Sequence, residues 1–232
     1  MNPLLIRRRG MMMAQSVAPH DGQLEWIETD GVAYIRTDIY MTPPPRSCHA
    51  KIKMGANQYC GLIGGRSYTS GSNVQAFSFL KYTTAKALLF CFFYNYGPSD
   101  GTPYITYSVD NDKPFEVKVA LRTGRQEISV KQEDTGQWGN VVSKSQTTPL
   151  SGSYTLRIFS TYEGTGDNQN IAPAGTRMYF VDVFSDFTYT TKVGGFVPWR
   201  ENGVVGMKNT VTNTFLTSAD PNGVFTGGPN VI

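Results

Sequence analysis

The chain has 232 residues, a formal net charge of +3, 40% hydrophobic residues and 17% charged residues. This hydrophobic share can fill one core, and the low charge argues against a disordered chain and against nucleic-acid binding by the whole surface. No run of about 18 apolar residues is present, so the sequence predicts no membrane-spanning helix. The 24 glycines, 13 prolines, 13 tyrosines and 13 phenylalanines favour many short strands joined by tight turns.

Residues 1–22 differ in composition from the rest of the chain. The segment contains two small apolar clusters on either side of a basic cluster, formed by Leu4, Leu5, Ile6, Arg7, Arg8, Arg9, Met11, Met12 and Met13. A signal peptide has charge first, then a longer apolar run, and this order is not met. We therefore interpret residues 1–22 as an extended or short-helical anchor, which docks on another protein through its apolar side chains and arginines.

From Gln23 onward the hydrophobic residues alternate with polar ones, which is typical of β-strands. The first two predicted strands lie on either side of a turn at Asp30-Gly31. In Cys48–Met54 the apolar side chains occupy one face and two lysines the other.

Further along the chain, Ala87–Tyr94 is continuously apolar and aromatic, which predicts a central strand buried on both faces. We expect Phe90 and Phe92 of this strand, together with Leu156, in the core. Phe115–Leu121 and Ile128–Val130 both have a period of two and predict a hairpin. No segment has a sustained helical period. The pattern predicts about ten to thirteen strands in an all-β, antiparallel two-sheet sandwich over residues 23–232, including a C-terminal hairpin in 194–228.

Several segments resemble one family of domains. They are LEWIETDGVAYIRTDI at residues 24–39, RMYFVDVF at 177–184, FVPWR at 196–200, GMKN at 206–209 and GVFTGG at 223–228. In this order they resemble the opening, a middle strand and the closing pattern of concanavalin A-like, laminin G-like jelly-roll domains encoded by gut bacteria and their phages. Trp199 and Lys208-Asn209 depart from the closing pattern, which has Cys-Tyr and Tyr-Asp there. Gly206 and Gly223 of this pattern are expected to provide turn conformations.

The N-terminal run of Leu, Arg and Met is similar to leaders on phage virion proteins of gut Bacteroidales. The resemblance implies a jelly-roll fold and a structural role in a virus particle.

Residues for catalysis are sparse. Glycosidases place two carboxylates across a cleft, and the E-x-D-x-E run of jelly-roll hydrolases does not occur here. Cys48 and His49 are neighbours in a predicted strand and therefore point to opposite faces. The odd count of three cysteines favours buried thiols. We predict that the chain is not an enzyme.

We also predict neither metal nor cofactor. Neither histidine has partners at ligand spacing. The acidic runs at 110–112 and 167–168 are interpreted as turns, with a calcium site as the alternative.

Glycan binding has better candidates. Sugar sites stack a sugar ring on an aromatic face and surround it with hydrogen-bonding groups. Trp138 and Asn140 in the loop TGQWGN fit that composition, as do Tyr94 and Tyr96 before Gly97. The alternative for Trp138 is that it caps the core of the sandwich.

The sequence-based hypothesis is therefore a bacteriophage virion structural protein: a head fibre, a tail fibre or a capsid-decorating protein. It would be made in the bacterial host cytoplasm and dock by its N-terminus. Its expected partners are capsid or tail subunits, further copies of the chain (a trimer is one arrangement) and a host-surface glycan, with no membrane or nucleic acid. The alternative is a free carbohydrate-binding module or a bacterial surface lectin.

Overall fold

The structure of the chain is a computed structural model. It describes residues 20–40, 47–56, 58, 60–66, 74–82, 87–96, 105–110, 112–122, 125–145, 155–161 and 171–231, and only the backbone of residues 66, 74–82, 87–96 and 106. All regular elements in these ranges are β-strands, and no helix with the length and hydropathy to cross a membrane occurs there.

Seventeen strands are formed within the described ranges. Their bounds are β1 Gly22–Gln23, β2 Ile27–Thr29, β3 Ile35–Tyr40, β4 Ser47–Lys53, β5 Cys60–Arg66, β6 Val74–Tyr82, β7 Ala87–Tyr96, β8 Ile105–Val109, β9 Phe115–Arg122, β10 Arg125–Gln132, β11 Val142–Ser145, β12 Thr155–Ile158, β13 Arg177–Phe184, β14 Lys192–Glu201, β15 Val204–Asn209, β16 Thr214–Leu216 and β17 Phe225–Gly227. The count exceeds the predicted ten to thirteen because several strands have only two or three residues, too few to give an alternating pattern.

The strands form two antiparallel sheets. The larger sheet has eleven strands in the order β11-β10-β9-β4-β13-β14-β15-β16, with β1 on β14, β2 on β13 and β17 on β2. The smaller sheet has six strands in the order β3-β12-β5-β6-β7-β8. This arrangement confirms the predicted all-β, antiparallel two-sheet jelly-roll sandwich. The predicted hairpin is also present, since β9 and β10 pair from Phe115 with Gln132 to Arg122 with Arg125.

The hydrophobic core lies between the facing sides of the two sheets. From the eleven-stranded sheet it takes apolar side chains at alternate positions, such as Val117 and Val119 of β9, and from the six-stranded sheet Ile35 and Leu156. Each large aliphatic side chain buried in this way contributes roughly 1.5–3 kcal/mol. Leu156 is fully buried, as the sequence predicts. The side chains of Phe90 and Phe92, predicted to join it, lie outside the described residues.

The predicted turn at Asp30-Gly31 is present and lies between β2 and β3. It carries the chain from one sheet to the other, because β2 pairs with β13 and β17 while β3 pairs with β12 in the smaller sheet. Strand β7 is an inner strand that pairs with β6 on one side and with the edge strand β8 on the other. Its side chains, predicted to be buried on both faces, lie outside the described residues.

The C-terminal segment closes the sandwich. Strands β14 and β15 form a hairpin, and Phe196, Met207 and Phe225 are buried. Gly206 and Gly223 were expected to provide turn conformations, but neither has a positive φ. Both glycines are needed instead because the backbone of a neighbouring segment passes close to them. A Cβ at Gly206 would overlap the carbonyl of Leu216, and one at Gly223 would lie 2.5 Å from the Cα of Ala33.

Candidate ligand-binding surface

The outer face of the eleven-stranded sheet carries the polar residues of its strands. Across four strands, Ser129, Lys118, His49 and Asp182 lie directly opposite one another. They point outward because their neighbours along each strand, such as Val119 and Cys48, point into the core. Cross-strand neighbours on one face lie about 4.5–5.5 Å apart at Cβ, so this row forms one continuous surface.

The loop between β10 and β11 places Trp138 over this face. The backbone of Trp138 forms an isolated antiparallel β-bridge with that of Lys131, and the Gly139 amide donates a 2.8 Å hydrogen bond to the Val130 carbonyl. Gly139 allows the loop to lie flat, because a Cβ there would overlap the hydroxyl of Tyr107. Trp138 is 37% exposed. It therefore does not cap the core, and its position is fixed by the loop backbone.

Three side chains of the sheet surround the Trp138 indole. The Lys118 Nζ lies 4.5 Å from its ring centroid and the Lys131 Nζ 6.0 Å. The ring centroids of His49 and Trp138 are 5.7 Å apart, with the planes tilted by 58°. The lysines are within range of cation–π attraction, which further restrains the exposed ring.

A second loop, between β13 and β14, presents Tyr189 on the other side of Lys118. Both oxygens of the Asp186 carboxylate accept hydrogen bonds from this loop, including the amides of Thr188 at 2.7 Å and Thr190 at 3.1 Å. The hydrogen bonds from the Thr188 hydroxyl and the loop amides hold the pKa of Asp186 far below its usual range. Tyr189 has a positive φ of 62°, and the Lys118 Nζ lies 5.5 Å from its ring centroid.

His49 sits at the base of the surface. Its Nε2 lies 3.0 Å from Glu116 Oε2, and the Lys131 Nζ lies 2.9 Å from Glu116 Oε1. Its ring also meets that of Phe180 edge-on at 4.9 Å. Burial lowers the pKa of His49 although Glu116 acts in the opposite direction, so the imidazole is neutral at pH 7 and Nε2–H donates to Glu116. Burial alone would raise the pKa of Glu116, but its hydrogen bonds with Lys131 and His49 lower it.

We define the Trp138 surface by the five side chains that these contacts join: His49, Lys118, Lys131, Trp138 and Tyr189. Lys118 is the cation at its centre. It lies between two aromatic rings and makes no ion pair within the described part of the chain. The surface thus combines an exposed aromatic ring with one ammonium group that has no ion-pair partner among the described residues.

Of the residues predicted to bind glycans, Trp138 and Asn140 are both exposed and lie in the same loop. Tyr94 and Tyr96 were interpreted as preceding a loop. They belong instead to β7, opposite Ala76 and Val74 of β6, and their side chains lie outside the described residues. The predicted anchor residues between Leu4 and Met13 also lie outside them.

Lys118 and Tyr189 were not predicted. The alternation in β9 indicates that Lys118 points outward. It does not indicate which side chains lie beside Lys118, because these are brought together by the order of the strands in the sheet.

The structure also describes several of the residues considered for catalysis and metal binding. Cys48 is buried facing the core, and this burial raises its pKa, whereas the adjacent His49 points outward. Within the described ranges no three His, Cys, Asp or Glu residues are placed to hold a metal ion. One Asp110 oxygen accepts a 3.0 Å hydrogen bond from the Asp112 amide, as in an Asx turn.

No protein-family model matches the chain, and no curated protein matches it either. Among solved structures, the chain is similar to the native heptameric SAP-like pentraxin from Limulus polyphemus, with a TM-score of 0.53 and 10% identity over 88% of this chain and 94% of the pentraxin. At this identity the likeness concerns the fold, which agrees with the jelly-roll sandwich.

Two weaker structural similarities were also found. The CBM40 of the Ruminococcus gnavus IT-sialidase, bound to α2,3-sialyllactose, has a TM-score of 0.45 and 11% identity over 72% of this chain and 94% of its own. Domains LG4-5 of the mouse laminin α1 chain have a TM-score of 0.43 and 10% identity over 90% of this chain and 52% of theirs.

Proposed function

We propose that this chain is a non-catalytic attachment protein of a bacteriophage particle, and that it binds a host-surface glycan through the Trp138 surface. The observation that carries the binding half is the exposed indole of Trp138, fixed over a polar sheet face between two lysines and a histidine. A sugar ring can stack its apolar face on the indole, and its hydroxyl groups can bond to the surrounding lysines and to Asn140.

The fixed position of Trp138 favours binding further. Its loop is tied to β10 by the Gly139–Val130 hydrogen bond, and the indole is flanked by Lys118 and Lys131. A ligand therefore does not have to order the loop, whose immobilisation would otherwise reduce the affinity.

The electrostatics support a non-catalytic role. The acid of a glycosidase needs a carboxyl group whose pKa is raised. Among the described residues, each carboxyl group with a resolved shift has a lowered pKa: Asp21, Asp30, Glu116, Asp134 and Asp186. Asp182 lies on the outer face, where it pairs with the Lys192 Nζ at 2.8 Å.

The virion role rests on the resemblance of the N-terminal leader, and the position of residues 20–22 is compatible with it. The Asp21 carboxylate accepts hydrogen bonds from the amides of Asn202 at 2.8 Å and Gly203 at 3.1 Å, in the turn between β14 and β15. Three strands, β9, β4 and β13, separate β14 from β10, which precedes the Trp138 loop. An anchor that joins the domain at this turn leaves the Trp138 surface open to a second partner.

The binding half is tested with Trp138→Ala in the full chain, measured on immobilised host glycans and on host cells. Loss of stacking worth about 1 kcal/mol reduces the affinity roughly fivefold. Tyr40→Ala is the matched control, because Tyr40 is an aromatic residue, 65% exposed, on the six-stranded sheet. The cooperative thermal transition should persist in both variants. Equal binding by the two variants, or unfolding of Trp138→Ala, would contradict the proposal.

The virion half is tested by removing residues 1–19, which keeps the contacts of Asp21 with the β14–β15 turn. We expect the shortened protein to retain glycan binding and to be missing from purified particles, as measured by mass spectrometry. Incorporation at the level of the full chain would show that the segment is not the anchor. If even the full chain is not found in particles, the free carbohydrate-binding module or surface lectin becomes the better interpretation.

A further inference from the structure

The outer face of the eleven-stranded sheet carries more aromatic–cation contacts beyond the Trp138 surface. The Lys51 Nζ lies 4.8 Å from the ring centroid of Tyr179, and the Lys208 Nζ 4.6 Å from that of Trp199. The guanidinium carbon of Arg177 lies 3.9 Å from the ring centroid of Trp26. We name these six residues, together with the Trp138 surface and Lys53, the cation–aromatic stripe.

The charges along the stripe are only partly compensated. Lys51, Lys131 and Arg177 each pair with a glutamate, at 3.2, 2.9 and 2.7 Å. Three other lysines have no ion pair within the part of the chain that the structure describes: Lys53, Lys118 and Lys208. These three belong to β4, β9 and β15.

The uncompensated lysines span most of the sheet. From β9 to β15 the strand order is β9-β4-β13-β14-β15. Four spacings of about 4.8 Å place Lys118 and Lys208 on the order of 19 Å apart. One monosaccharide is too short to contact both, whereas a chain of several sugars lying across the strands can.

Carboxylate groups on the ligand suit these lysines better than hydroxyl groups do. Hydrogen bonds between an ammonium and a carboxylate are shorter and about twice as strong as those between neutral groups. A neutral glycan would cover the lysines without supplying a counter-charge, while an acidic one pairs them as its rings stack on the tryptophans.

Single-stranded nucleic acid also combines stacking with negative charge, but this face suits it less well. Glu28, Glu116, Glu133 and Asp182 are interleaved with the cations and would repel closely spaced phosphates. The same carboxylates can accept hydrogen bonds from sugar hydroxyl groups.

We propose that the glycan is a linear acidic polysaccharide, which lies across the strands of the eleven-stranded sheet from Trp138 and Lys118 to Trp199 and Lys208. This inference rests on the proposed glycan-binding function and adds the charge of the ligand, its minimum length and its path.

The test uses the full chain and three carboxylated polymers: polygalacturonate, polysialic acid and hyaluronate. Each is compared with its own carboxyl-reduced form, which keeps the sugar backbone and loses the charge. We expect at least one acidic polymer to bind at least about tenfold more tightly than its reduced form, through several surface ion pairs acting together. Affinity for its oligomers should rise with length until the chain reaches from Lys118 to Lys208.

The variants Lys118→Gln and Lys208→Gln test the path. Each should weaken binding of the long acidic oligomer about two- to fivefold. Only Lys118→Gln should affect short oligomers seated at Trp138. Arg36→Gln is the control, because it makes the same change in net charge on β3 of the other sheet.

Four outcomes overturn the inference. If neutral glycans bind in a Trp138-dependent way and acidic polymers bind no better than their reduced forms, the proposed function stands and the acidic ligand is wrong. If no glycan binds, both fail. An oligothymidylate that binds more tightly than all three polymers would identify a nucleic-acid surface. If Lys208→Gln leaves the affinity for long oligomers unchanged, the ligand does not follow this path.

Discussion

The opening motif, residues 24–39, meets the closing motif, residues 223–228, at a polar junction. This junction and the Trp138 surface are both polar, but their polar groups have different partners. At the junction the groups satisfy one another: Asp30 accepts hydrogen bonds from the amides of Val32, Ala33 and Val224. At the Trp138 surface, Lys118 has aromatic neighbours and no carboxylate partner in the described part of the chain. The junction therefore closes the sandwich, while the Trp138 surface is the one proposed to bind a ligand.

This difference explains why the motifs that resemble a family say little about the ligand. The closing pattern keeps Gly206 and Gly223, whose Cβ atoms would meet neighbouring backbone, and buries Phe225. Two of its departures, Trp199 and Lys208, contact each other on the outer face, whereas the third, Asn209, is buried and accepts hydrogen bonds from the Gly195 and Val211 amides. The shared positions thus serve the fold, and two of the three positions that differ lie on the surface proposed to bind.

The largest loss of stability is expected from a substitution at the junction. In Gly223→Val the new Cβ would lie 2.5 Å from the Ala33 Cα and 2.6 Å from its amide nitrogen, so the backbone must move. We expect a loss of about 3 kcal/mol in the free energy of unfolding, measured by denaturant titration. Gly203→Asn is the control: no atom lies within 4 Å of its Cβ position, and asparagine tolerates its positive φ. Equal stability of the two variants would show that the junction does not need this close approach.

A smaller effect is expected in the Trp138 loop. In Gly139→Ala the methyl group would displace the Tyr107 hydroxyl or lift the loop from β10. We expect the free energy of unfolding to fall by about 1 kcal/mol. Glycan affinity should fall as far as in Trp138→Ala, because the indole loses its fixed position. The control is Gly136→Asn in the same loop, where the Cβ position is open and φ is 61°. Unchanged glycan affinity in Gly139→Ala would mean that the loop need not be held flat.

The sequence predicts more of the fold than of the surface, and the reason is physical. Alternation along a strand reports which face a residue occupies, so Val117, Val119 and Lys118 could be assigned to inner and outer faces before the structure. It does not report which strand lies alongside. His49 and Lys118 are opposite each other only because β4 pairs with β9, although β5 to β8 lie between them in the chain.

Trp138 could be identified because an aromatic residue in a glycine- and asparagine-rich loop is unusual by itself. Tyr189 could not, because its place depends on the hydrogen bonds that Asp186 accepts within its loop. The turn at Asp30-Gly31 could be predicted, but its crossing between the two sheets could not. A hairpin and a turn between sheets have the same local sequence signature, and only the later pairing of β3 with β12 distinguishes them.

The smallest expected effect concerns the pH dependence of stability at the base of the Trp138 surface. Burial lowers the pKa of His49 below its ordinary value of 6.5, so in the unfolded chain this residue gains a proton at a higher pH than in the folded chain. Its contribution therefore makes the folded state less stable as the pH falls from 6.5 towards the folded pKa, and it vanishes above that window. Glu116 acts in a separate pH range: its pKa is lowered from 4.5, so the stability that it contributes is lost only at more acidic pH.

The variant His49→Gln tests this pH dependence, because glutamine keeps a hydrogen-bond donor for Glu116 and removes the titrating imidazole. We expect the variant and the parent chain to differ by a constant free energy of unfolding above pH 7, and the variant to gain on the parent between pH 6.5 and 5. Denaturant titrations at half-unit pH steps measure this difference. A difference that stays constant down to pH 5 would show that folding does not lower the pKa of His49, and the imidazole would then gain a proton in the folded chain as the pH falls through its ordinary value of 6.5.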